Sequence, residues 1–103
     1  MSWVSEAVAA LTKGVAAEVR PRGGSMRGRI EDNQLVTIEP IDPASVVVGD
    51  VVLVRWKGNY LLHLVKEVDG ERLLIGNNVG KTNGWAARSD VLGRLKETPA
   101  APP

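Results

Sequence analysis

Apolar residues follow two different rhythms along this chain, and the change between them falls near Gly14. Trp3, Val4, Ala7, Val8 and Leu11 recur at i, i+1, i+4, i+5 and i+8, the spacing that lines one face of a helix. The pattern predicts a helix over residues 2–13, with Ser2 or Ser5 as N-cap and Gly14 as the stop. So short and only moderately apolar a helix gains its stability by docking, so a packing helix laid on a sheet is expected.

Beyond Gly14 the segments become short, β-branched and punctuated by turns. Val15 to Val19 reads as a first strand, and Gln34-Leu35-Val36-Thr37-Ile38 as the next, ended by Pro40 and Pro43. Between them Arg20 to Arg29 reads as an extended turn, because Pro21 biases Arg20 away from helix and Gly23-Gly24 permits close backbone approach. Asp50 to Trp56 is the kind of β-branched run that is buried on both faces of a sheet. Lys57-Gly58-Asn59 turns into a partner strand over Tyr60 to Val68. Asp69-Gly70 is a strong hairpin signal leading into Arg72 to Ile75. Gly76 to Gly84 reads as a polar loop, Val91 to Leu95 as a last short strand, and Thr98 to Pro103 as a disordered Pro/Ala tail. The sum is a mainly β single domain over residues 1–97, a barrel or folded-over sheet with one short N-terminal helix.

Composition removes several chemistries. Thirteen basic and twelve acidic residues leave a net charge of +1, which gives no general reason to expect a polyanionic partner. With no cysteine and a single histidine, disulfides, thiol catalysis and a zinc site drop out together, and no metal or other cofactor is expected. No apolar run approaches the ~20 residues needed to span a bilayer. The first residues lack a basic stretch and are interrupted by Glu6, unlike a secretory signal. The expectation is a soluble, cytoplasmic protein.

Two residues remain as candidates for chemistry. Ser25 sits in the turn Gly23-Gly24-Ser25-Met26, and His63 lies in the strand-like run Tyr60 to Val65. A hydroxyl is a weak nucleophile unless a base stands within hydrogen-bond reach, and a neutral imidazole is the form that accepts its proton. The amides of Gly24 and Ser25 could form an oxyanion hole, and Met26 could anchor the turn in the core. The plain alternatives are a turn serine bonded to its own backbone and a core histidine satisfied by one hydrogen bond. Strand alternation puts Leu61, His63 and Val65 on one face and Leu62, Leu64 and Lys66 on the other.

The order Gly24-Ser25-Met26, Leu35 to Ile38, Val48-Gly49-Asp50 to Val54, the His63 strand, Gly76-Asn77-Asn78 and Val91 to Leu95 resembles the superfamily of signal peptidase I and LexA-type repressor peptidases. The likeness runs from about Val19 to Leu95. It implies a β-rich peptidase domain without cofactor, in which Ser25 attacks a peptide carbonyl and His63, where the superfamily often has lysine, is the base of a histidine branch. It also implies that Gly23 and Met26 flank a substrate cleft and that Asn77 or Asn78 orients the imidazole. Three positions depart from the pattern. Arg27-Gly28 stands where proline is common, Gly23 carries no hydroxyl for the oxyanion hole, and Asn77 stands where the histidine branch has aspartate. An amide holds a tautomer but supplies no charge to imidazolium, and losing the acid of a triad costs about 10⁴ in rate. Asp90, Glu67 or Asp69 could substitute. No membrane anchor or DNA-binding segment is recognised before the serine, so the expected partner is another polypeptide, bound as an added strand, either cleaved or held by a catalytically silent relative.

A third feature is the basic turn. Arg20, Arg22, Arg27 and Arg29, with Trp56, Tyr60 and Trp85 as stacking residues, could form a small nucleic-acid-binding barrel. A solvated basic loop beside Glu31 and Asp32, with tryptophans used for packing, fits the near-neutral charge better.

Overall fold

The computed structural model describes residues 2–23, 26 and 29–96. Helix α1 (Trp3–Thr12) is followed by strands β1 (Ala17–Val19), β2 (Val36–Pro40), β3 (Val51–Trp56), β4 (Asn59–Asp69), β5 (Arg72–Gly76), β6 (Thr82–Ala87) and β7 (Val91–Leu95). Ser2 caps α1 by accepting from the Ser5 amide at 3.2 Å, and Gly14 leaves the helix with φ 75°. The expected tail at 98–103 and the Gly24-Ser25 pair lie outside the described residues.

All seven strands join one antiparallel sheet in the order β1-β2-β7-β3-β4-β5-β6, so the fold is mainly β with one short helix. The β3–β4 turn is tight because Lys57 and Gly58 both take positive φ, 49° and 79°, the pairing a type I′ turn requires. The sheet folds over, bringing β3 against β6 although two strands lie between them. Trp56 at the end of β3 donates its indole N–H to the Trp85 carbonyl on β6 at 3.3 Å. Arg88 closes the same side, its guanidinium donating to the carbonyls of Gly70, Pro43 and Val46 at 3.0, 2.7 and 2.8 Å.

Two apolar layers result. Val51 and Leu53 of β3 join Ala7 and Leu11 of α1, Ile38 and Leu62 on one face. Val52 and Val54 join Val46, Val65, Leu73 and Ile75 on the other. The run Val51 to Val54 is therefore buried on both sides, as its composition predicts. One strand was not foreseen. Thr82 to Ala87, expected in part as loop, forms the edge strand β6 on Arg72 to Gly76. Asn83 and Gly84 are poor strand formers, and an edge position with one partner demands less of them.

Helix α1 approaches the sheet at Gly93 of β7. A Cβ there would lie 2.7 Å from the Glu39 carbonyl oxygen and 2.9 Å from Leu11 Cδ2. Gly93→Ala is expected to cost about 1–3 kcal/mol through overpacking, read as a lower midpoint in urea unfolding. An unchanged midpoint would mean that the helix does not seat where described.

Candidate functional site

His63 is held in register by β3, opposite Val52. Two further bonds fix the polarity of β4. The Val65 N–H donates to the Asp50 carbonyl at 2.8 Å, and the Val65 carbonyl accepts from the Gly49 amide at 2.9 Å. Backbone groups alternate sides along an antiparallel strand, so Leu61, His63 and Val65 turn their amides and carbonyls toward β3. Tyr60, Leu62 and Leu64 turn theirs to the opposite edge. Leu64 meets β5 there at Gly76, and β5 pairs no further back than Leu64. Among the described residues, no strand pairs the outer edge of β4 at Tyr60 and Leu62.

That edge explains the histidine's geometry. A carbonyl turned away from its strand partner still needs a donor. His63 Nδ1 lies 2.7 Å from the Leu62 carbonyl oxygen. A carbonyl can only accept, so Nδ1 carries the donated proton, and in the neutral ring Nε2 holds the lone pair. The ring is 8% exposed, held close to the core while bordering a cavity of about 170 Å³.

The cavity joins three parts of the chain. Trp3 comes from α1, Pro21, Arg22, Gly23, Met26 and Ile30 come from the loop before β2, and Tyr60 to His63 come from β4. The loop is tied by short bonds. Gly23, at φ 106°, donates its amide to Asp32 Oδ1 at 2.8 Å. Asn33 donates its amide to the Pro21 carbonyl at 2.8 Å. Met26 is buried with α1, Ile38 and Leu62, and its carbonyl accepts from the amides of Arg29 and Ile30. Thus Gly23 and Met26, named from sequence as cleft residues, border the same cavity as His63. Ser25 and Gly24 lie outside the described residues.

The side-chain oxygen of Asn77 is engaged within its own loop. Asn77 Oδ1 accepts from the amides of Val79 and Lys81 at 3.0 and 2.8 Å, so its side chain organises the β5–β6 loop. Lys66, bulged out between Val65 and Glu67, donates to the Lys81 carbonyl at 3.0 Å and braces that loop. The bond recorded for the imidazole is with Leu62. A backbone carbonyl has no signature in sequence, so residue types alone could not have found it. Trp3, Ile30 and Tyr60 were likewise missed as cavity residues, since each reads equally well as core.

Of the residues named for a nucleic-acid surface, Arg20 donates to the Asn33 carbonyl at 3.1 Å and Arg22 lies 3.7 Å from Asp32. Lys57 and Arg72 cover the rings of Trp56 and Trp85 at 4.7 and 4.8 Å. Tyr60 borders the His63 cavity. Among the described residues, no group of three or more metal-binding side chains exists, and no helix is long and apolar enough to cross a membrane. No protein-family model and no curated protein matches the chain.

With a single histidine in the chain, its tautomer can be read without ambiguity. Long-range ¹H–¹⁵N correlation spectra of the neutral ring are expected to put the proton on Nδ1. A proton on Nε2 of the neutral ring would instead break the Leu62 bond.

Proposed function

We propose that this chain is a peptidase domain of the signal peptidase and LexA type, with Ser25 as nucleophile and His63 as general base. One observation carries the reading: Gly23 and Met26, the chain neighbours on either side of Gly24-Ser25, border the same cavity as the imidazole. The Ser25 Cα is one peptide link, about 3.8 Å, from that of Met26.

In this scheme the Ser25 Oγ–H proton passes to His63 Nε2 as Oγ bonds to the scissile carbonyl carbon. The amides of Gly24 and Ser25 receive the oxyanion. The imidazolium then protonates the leaving amine as the C–N bond breaks, and water, deprotonated by the same nitrogen, releases the acyl group and restores the serine. The substrate lies along the open β4 edge as an added strand. The Leu62 carbonyl fixes the tautomer, a part that a triad's carboxylate also plays, but without a full negative charge. Slow turnover is the expectation.

A second reading, a silent peptide-binding domain, draws on that same carbonyl in the carboxylate's place. One experiment separates the two. A fluorophosphonate probe is expected to label wild type at Ser25, with labelling lost in Ser25→Ala and reduced by at least about 10³-fold in His63→Ala. Equal labelling of wild type and Ser25→Ala ends the enzyme reading. Peptide binding without any labelling supports the silent domain.

A further inference from the structure

The cavity beside His63 has a size and a chemistry that bear on what enters it. Its volume is about 170 Å³, and an apolar cavity of about 150 Å³ is enough to admit benzene. Trp3, Met26, Ile30, Tyr60 and Leu62 give it largely apolar walls, and among the described residues no carboxylate lines it. A lysine or arginine entering there would lose water without an acidic partner on those walls, while an alanine would leave most of the space empty.

The open edge of β4 supplies the occupant. Among the described residues no strand pairs it at Tyr60 and Leu62, the Leu62 carbonyl keeps one lone pair beyond its bond to His63, and both residues also border the cavity. An extended chain paired on that edge sends alternate side chains to one face of the sheet, so one of them meets the cavity. Resting on the peptidase reading above, we infer that this is a specificity pocket for one large apolar side chain (leucine, methionine or phenylalanine) of an extended polypeptide. Trp3 is its specificity-determining wall. Helix α1 then has a role beyond covering the sheet, because Ala7 and Leu11 seat it in the core and so fix the indole at the pocket.

Binding tests the pocket separately from turnover. Labelled extended peptides, identical except for Ala, Lys, Leu or Phe scanned through each position, are titrated by fluorescence anisotropy against Ser25→Ala, which cannot acylate. At one position Leu or Phe is expected to bind at least about tenfold more tightly than Ala, and Lys no better than Ala. Trp3→Ala in the same background is expected to cut that preference to roughly threefold or less, with Trp3→Leu intermediate and guarding against a folding defect seen by circular dichroism. Equal binding of all four peptides, no binding of any, or an unchanged preference in folded Trp3 variants overturns the inference. Size preference without Ser25 labelling of wild type leaves the pocket standing and removes the peptidase; labelling without preference does the reverse.

Discussion

The arrangement depends on one strand having no solvent face. Val51 to Val54 are all buried, alternate residues feeding opposite apolar layers, and β3 is hydrogen-bonded on both sides, to β4 and β7. A slip of one residue would exchange the two layers at once. The register is therefore fixed at the centre and inherited outward. Val52 opposite His63 is one consequence, and Val65 bonded to Asp50 and Gly49 is another. The direction in which Leu62 offers its carbonyl follows from these, far from any residue that looks functional.

From that constraint comes the economy of the imidazole. Strand β5 pairs with β4 only from Leu64 onward, so among the described residues Leu62 has no strand partner on its outer side. The ring answers the unpaired carbonyl and in doing so fixes its own tautomer. The bond that satisfies a buried histidine thus also leaves Nε2 as the acceptor of the neutral ring.

Much of the scaffold was legible because its determinants are local. The β-branched run at Val51, the turns at Lys57-Gly58 and Asp69-Gly70, and the spacing from Trp3 to Leu11 each signal their element within a few residues. Strand β6 was not, because Thr82 and Gly84 are held by Gly76 and Ile75, with Asn83 at the irregularity between them, rather than by their own preference. The site divides the same way. Gly23, Met26 and His63 stand out as residue types and do border one cavity. Leu62 contributes through its backbone and Trp3 through a helix packed from elsewhere, so neither carries a mark in the sequence. Asn77 stands out by its place after Gly76, yet its oxygen serves the amides of Val79 and Lys81.

The loop before β2 shows how so open a segment can serve a site at all. Its base is pinned by Asn33 to Pro21 and by Gly23 to Asp32, and its middle by the burial of Met26 beside Ile30. That pinning restricts the backbone at Gly23. The same restriction explains the glycine at 23: with φ at 106°, a side chain there would strain the turn that presents its amide to Asp32. Any residue with a Cβ at this position would bring that strain with it.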